Sequence, residues 1–194
     1  VRYITNHSTG KMGYAIARNC MLRGAHVTLV NASVSVEPPM FVDVVNVTSA
    51  ADMAEVVKSK ASEQDIIIMT AAVADFCPAH PADEKIKKKD SLDEPVIELE
   101  RTEDILSYLG AHKAKGQLIC GFSMETQNML ENSKAKLAKK NADMIVANNL
   151  KVAGAGFGTD TNVVTLITAD DCTELEIMDK SCVAARIMDR LLQM

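Results

Sequence analysis

Short unbroken apolar runs alternate along this chain with longer stretches in which apolar residues recur every three or four positions. Val27–Asn31, Val42–Val47, Ile66–Ala71, Leu118–Phe122 and Met144–Ala147 are of the first kind. A strand covered on both faces has no polar side to show, so such runs suit the buried strands of a parallel sheet. Helical spacing occupies the stretches near 9–23, 49–62, 103–114 and 126–140. In the first of these, Met12, Ala15, Ile16 and Cys20 fall on one face, and Arg23-Gly24 supplies a stop. The strand–helix alternation predicts an α/β fold: a Rossmann-like, doubly wound, mainly parallel sheet.

The last part of the chain reads differently. Val163–Thr168 and Leu175–Met178, joined by a polar turn through Asp170 and Asp171, predict an antiparallel hairpin. A final helix follows, with Val183, Ile187 and Leu191 along one side. We read residues 1–194 as a single domain, with a Rossmann-like core over 1–150 and the hairpin and last helix over 151–194. The sequence opens in a loop leading to a helix, whereas a sheet of this kind normally starts with its central strand. The expectation is therefore a sheet whose first strand is missing from this sequence.

Composition narrows the function. A net charge of −5 argues against a nucleic-acid-coating protein. The longest apolar stretch, around Ile66–Met69, is far short of the roughly 20 residues that cross a bilayer, so no membrane partner is expected. The five cysteines are widely spaced without a CxxC pair. They read as reduced thiols of a cytoplasmic protein, with no protein-held metal.

Five segments hold candidate chemistry. In Asn6-His7-Ser8-Thr9-Gly10-Lys11-Met12-Gly13, Ser8 and Thr9 are candidate helix caps, and Ser8, Thr9, Gly10 and Lys11 form a candidate phosphate loop at a helix N-terminus. Met12 stands where a P-loop needs Ser or Thr. Ala71–Phe76 leaves the most apolar strand at the end where open α/β sheets bind ligands, and Asp75 there could reach a ribose hydroxyl. Four lysines within Lys85–Lys89 read on composition as a solvated run, yet their place after that strand suits a loop that brings a lysine onto phosphate. Lys136 and Lys140, four apart, share a helix face that suits either solvent or a triphosphate. Gly154-Ala155-Gly156-Phe157-Gly158 precedes a strand instead of following one, so its likeness to a dinucleotide fingerprint is a decoy.

In this order, these segments resemble phosphopantothenoylcysteine synthetase, the ligase domain of the bacterial bifunctional coenzyme A biosynthesis protein. The resemblance is carried by Val1–Gly13, Ala71–Asp75 and Glu84–Lys88, with Gly121–Thr126, Ala147-Asn148-Asn149 and Phe157–Asn162. It implies that 4'-phosphopantothenate attacks CTP to form an acyl-cytidylate and pyrophosphate. Cysteine then takes the acyl group, releasing CMP. It further implies Mg2+ carried mainly by the nucleotide phosphates, and no flavin in this domain. By position, Asn6 matches the asparagine that converts the acyl-cytidylate and Lys85 the lysine that forms it. Nucleotide contacts fall on Met69, Thr70, Ala71, Asp75, Lys85, Glu103, Asp104, Ile105, Leu106, Phe122, Lys136 and Lys140. At Glu103 the family pattern has proline. The resemblance also implies a homodimer, to which the 163–178 hairpin would contribute because a lone hairpin needs a partner surface. Fusion to, or association with, a flavin-dependent decarboxylase is implied as well. The lysine run is expected to be a flap closing over the intermediate.

Two alternatives stay open. A short-chain NAD(P)-dependent reductase would share the sheet order, but Asn31 replaces the acidic ribose ligand and no tyrosine has lysine four positions on. A non-catalytic nucleotide-binding domain would have no need of Asn6 and Lys85.

Overall fold

The computed structural model describes residues 4–32, 36–82, 84, 96–124, 128–149, 156 and 158–194. In chain order the elements are α1 (Lys11–Leu22), β1 (Thr28–Asn31), β2 (Asp43–Asn46), α2 (Ala50–Lys60), β3 (Ile66–Met69), β4 (Phe76–Pro78), β5 (Leu99–Arg101) and α3 (Ile105–Ala111). They continue with β6 (Leu118–Met124), α4 (Met129–Lys139), β7 (Met144–Asn148), β8 (Thr161–Asn162), β9 (Val164–Ile167), β10 (Cys172–Glu174), β11 (Met178–Asp179) and α5 (Lys180–Leu191).

The helices begin and end for local reasons. α1 closes in a Schellman arrangement: Gly24, at φ 84°, donates to Met21 O, and the Ala25 amide donates to Cys20 O. α2 opens with a capping box in which Ser49 and Asp52 satisfy each other's backbone amides. Asp104 caps α3 by accepting from the Ser107 amide at 2.9 Å.

The main sheet has five strands in the order β10-β9-β7-β6-β3. β3, β6 and β7 run parallel, while β9 and β10 are antiparallel to their neighbours. Alternate residues of the central strands feed two cores, as the strand period requires. Cys120, Met144 and Val146 face one, with Ile16 of α1 and Val183, Ile187 and Leu191 of α5. Ile119 and Ile145 face the other, with Met53 of α2, Leu106 and Leu109 of α3 and Leu137 of α4. Helices thus cover both faces, and Met144–Ala147 are wholly inaccessible, as unbroken apolar runs predict.

Two features depart from the sequence reading. The sheet is divided: β1 and β2 pair in parallel with each other, and neither is hydrogen-bonded to β3 among the described residues. The C-terminal hairpin is also shifted. Its return strand is β10, because the Thr168 hydroxyl accepts from the Asp171 amide at 3.1 Å and the Thr168 amide donates to Asp171 O at 2.9 Å. That tight turn sends the chain back at Cys172, ahead of the apolar run at Leu175–Met178. Met178 instead pairs with Asn162, joining β11 to β8. The hairpin is not a lone one either. β9 is buried along its whole length against β7, so a need for a second chain to stabilise it falls away.

Candidate functional site

A cleft of about 1050 Å³ lies at the C-terminal ends of the parallel strands. It is lined by the start of α1, the end of β1, the segment after β3, Phe122 of β6 and Asn148 of β7. Open α/β sheets bind ligands at this end, where loops leave the strands and helix N-termini converge.

The α1 terminus differs in detail from expectation. Neither Ser8 nor Thr9 caps the helix. The cap position is Gly10, at φ 77°, a left-handed backbone that suits glycine, and the helix has no side-chain cap bond among the described residues. Ser8, Thr9, Gly10 and Lys11 all line the cleft. The first turn therefore keeps donors for an anion, aided by the helix dipole. Lys11 itself is occupied. Its Nζ donates to Gly158 O at 3.0 Å and to Asp160 Oδ1 at 2.8 Å, and this ammonium holds the Asp160 carboxyl below the usual carboxylate range.

Asn6 joins two parts of the site. Its Nδ2 donates to Ala72 O, and its Oδ1 accepts from the Ser8 amide at 2.8 Å. The side-chain amide is held between the phosphate loop and the segment after β3, and the residue is exposed in the cleft. α1 and that segment meet closely: a Cβ on Gly13 would stand 2.6 Å from Thr70 Oγ1.

The proposed nucleotide contacts divide into two groups. Thr70, Ala71 and Phe122 line the cleft. The others are placed elsewhere or used otherwise. Met69 packs into the core beside α2 and α3. Asp75 is exposed, outside the cleft lining, and its carbonyl accepts from the Thr102 amide. Glu103 pairs with Lys58 at 2.7 Å beside a second hollow of about 570 Å³. Ile105 and Leu106 are buried, so only their backbone could meet a ligand. Lys136 donates to Phe122 O at 2.9 Å. Lys140 binds the Asp104 carboxylate and donates to Ser107 Oγ at 2.9 Å. Burial pushes the Asp104 carboxyl up, but Lys140 and Ser107 outweigh it and hold the group low. Lys85 and the rest of the expected flap lie outside the described residues.

Tyr14, Asn148, Asn162 and Lys180 are among the cleft residues to which the sequence reading assigned no role. Asn162 donates to Asn148 Oδ1 at 2.8 Å and accepts from the Val163 amide, so this buried side-chain amide is satisfied. Lys180 is only 7% exposed, and its Nζ donates to Gly156 O and Thr159 O at 3.0 and 2.6 Å. Burial and then the nearby Lys11 push this ammonium's pKa down, while Asp160 pulls it partly back. One signal could have found it. A lysine at the first position of a helix opposes the helix dipole, an unfavourable placement unless its charge is used. Tyr14 gave no comparable signal, because it lies off the Met12, Ala15, Ile16 and Cys20 face of its helix.

Residues 1–194 match the family described as the DNA/pantothenate metabolism flavoprotein C-terminal domain. The chain is 47% identical over 193 residues to the coenzyme A biosynthesis bifunctional protein CoaBC of Bacillus subtilis (strain 168), covering 98% of this chain and 47% of that protein. It is 44% identical over 194 residues to a protein of an unknown prokaryotic organism named cysteine/cysteine sulfinic acid decarboxylase, covering 99% of this chain and 54% of that one. The chain thus spans about half the length of these curated relatives. Among solved structures, the C-terminal domain of a coenzyme A biosynthesis bifunctional protein CoaBC superposes with a TM-score of 0.82 at 42% identity, over 98% of this chain and 85% of that one.

Proposed function

This chain belongs to the DNA/pantothenate metabolism flavoprotein C-terminal domain family, and from that membership we propose that it is a ligase of coenzyme A biosynthesis, joining 4'-phosphopantothenate to L-cysteine at the expense of CTP. The observation that carries the reading is the gathering of Asn6, the α1 terminus, Thr70–Ala74 and Phe122 around one cleft. A carboxylate is a poor acylating agent, so it is first joined to the α-phosphate of CTP, releasing pyrophosphate. The cysteine amine then displaces CMP from the acyl-cytidylate.

In this mechanism the α1 terminus receives a phosphate of one substrate, using first-turn amides and the helix dipole. Asn6, fixed by Ala72 and Ser8, keeps a second Nδ2–H for the carbonyl oxygen as negative charge grows on it, an oxyanion-type role. Lys85 would offset charge on the departing pyrophosphate. The backbone at Thr70 and Ala71 and the Phe122 strand end would meet the cytosine edge and set the preference for CTP. Magnesium would enter with the triphosphate and offset its charge; Glu84 and Glu100, the carboxylates of the cleft lining, are hard oxygen donors suited to such an ion.

A homodimer belongs to this reading. Because β9 is already buried in the sheet, its surface is better sought on the β4–β5 arm, where Phe76, Ile97 and Leu99 are exposed. Fusion to a flavin-dependent decarboxylase partner is proposed on the bifunctional relatives, and a cytoplasmic location goes with it; no described helix is long and apolar enough to cross a membrane.

The test is pyrophosphate release with CTP, magnesium and 4'-phosphopantothenate, with and without cysteine. The reading expects release that needs 4'-phosphopantothenate and amide product only when cysteine is added. Nucleotide binding with neither product would leave a non-catalytic domain, and faster turnover with ATP would overturn the CTP assignment.

A further inference from the structure

Two asparagines meet in the corner of the cleft between the end of β7 and β8, and a backbone group fixes which way round each of them lies. The Val163 amide donates to Asn162 Oδ1 at 3.0 Å. A backbone N–H only donates, so the end of the Asn162 side chain at this bond is the oxygen. Its Nδ2 is thereby turned to Asn148, whose Oδ1 accepts at 2.8 Å. Turning Asn148 over would set one NH2 against another and break a hydrogen bond to a residue only 4% exposed. An unrestrained asparagine serves donors and acceptors alike, whereas Asn148 is left with its NH2 to offer and its oxygen engaged.

That NH2 faces the cleft. Asn148 is half-buried and lines it. Its Nδ2 bonds no other group among the described residues, and among these the buried side-chain polar atom without a partner is the Tyr14 hydroxyl, not this one. Along β7, Asn148 follows Met144 and Val146 at the strand period, on the side that packs against α1 and α5. It therefore faces the substrate held by the α1 terminus and Asn6, away from the α2, α3 and α4 side.

We propose that Asn148 is a donor-only contact for substrate, that Asn162 is the positioning residue which fixes its polarity, and that the group it meets is the amide carbonyl of 4'-phosphopantothenate. Naming that substrate rests on the ligase reading. Both ends of the molecule are charged, and its middle carries a hydroxyl and one amide. A neutral side chain of fixed polarity discriminates among neutral groups: a carbonyl accepts and never donates, while a hydroxyl does either. Asn148 thus reads the amide oxygen, between the phosphate at the helix terminus and the carboxyl carbon at Asn6.

The experiment is calorimetric titration with 4'-phosphopantothenate and with an analogue whose amide is a trans-alkene, neutral and of the same shape but lacking the carbonyl. A CTP analogue with a methylene α,β bridge is present, so that binding is not followed by chemistry. The preference for amide over alkene should be about fivefold smaller in Asn148→Ala than in the parent, the size of one neutral hydrogen bond. Equal preferences, or no binding of 4'-phosphopantothenate to the parent, overturn the contact. Asn148→Asp keeps the oxygen that Asn162 needs but puts a second oxygen where the NH2 was, and should lose the preference too. Asn162→Asp, at about pH 8 where a carboxylate is ionised, still accepts from Val163 but has no donor for Asn148. The Asn148 amide then turns its NH2 to the carboxylate and shows the ligand an oxygen, so the preference should fall with Asn148 itself unchanged. A retained preference overturns the positioning role, and if Asn162→Asp does not fold, the two Asn148 variants decide. A preference lost in Asn148→Ala, with no pyrophosphate release from the unsubstituted protein given CTP, upholds the contact and removes the ligase reading. Turnover with an unchanged preference does the reverse.

Discussion

Asn6 and Gly110 show how differently single positions constrain this protein. Asn6 is exposed, and its two hydrogen bonds hold one amide group in place, so its removal should spare the fold and strike the chemistry. Asn6→Ala is expected to slow amide formation by about 10²–10³, the usual effect of losing one oxyanion donor, while pyrophosphate release on the first turnover persists. Rapid-quench analysis with labelled CTP checks this, and equal loss of both steps would rule out the assigned role. Gly110 is the reverse case. A Cβ there would stand 1.8 Å from Lys140 O, a backbone atom that cannot rotate aside. Gly110→Ala should therefore cost at least the upper end of the ~1–3 kcal/mol typical of overpacking, measured by urea unfolding. Gly121 has a similarly short approach, but to the flexible end of Leu106, so Gly121→Ala should cost less.

Among the elements, the helix termini carry most of the testable content. The Ser49–Asp52 capping box starts α2, and the entry to that helix, Thr48–Ala51, borders the cleft, so Ser49→Ala should lower stability by about 1 kcal/mol. At α3 the cap is also a titrating group. Asp104 has its folded pKa below the unfolded value, so it contributes stability above the unfolded carboxylate pKa. That contribution is lost as pH falls through the folded value. Asp104→Asn keeps a capping oxygen but loses the charge that pairs with Lys140. Urea midpoints from pH 7 down to pH 3 should fall less steeply for the variant than for the parent; parallel curves would mean that the ion pair contributes nothing. The strand elements explain the hairpin error as well. Leu175–Met178 has the apolar look of a return strand, but the Thr168–Asp171 turn closes too early for it, and the exposed Cys172–Glu174 takes that place.

Taken whole, the molecule is a sheet of unequal strength with the large cleft along its weaker side. β7 lies between β6 and β9 with its core residues wholly inaccessible, whereas among the described residues β1 and β2 pair only with each other and are at most half-buried. Amide hydrogen exchange should therefore be slowest in β7 and β9 and markedly faster in β1 and β2. CTP with 4'-phosphopantothenate should raise the melting temperature, by an amount corresponding to about 2.7 kcal/mol at a hundred times Kd, and should slow exchange most at the cleft's own segments. The sequence by itself determined the doubly wound class, because unbroken apolar runs and helical spacing are local patterns that burial on two faces imposes. It also determined the family and the neighbourhood of Asn6, Ser8–Lys11 and Ala71–Phe76, whose order along the chain is distinctive. Only the tertiary structure decided which side chains share the cleft. Lys11, Asp160 and Lys180 are far apart in sequence and meet because α1 and α5 pack on the same face of the sheet. Lys136 and Lys140, equally plausible phosphate ligands by type and spacing, are instead committed to Phe122 O and to Asp104. Residue type and spacing set what a side chain is able to do, but its partner is chosen by contacts between distant segments, which no local pattern encodes.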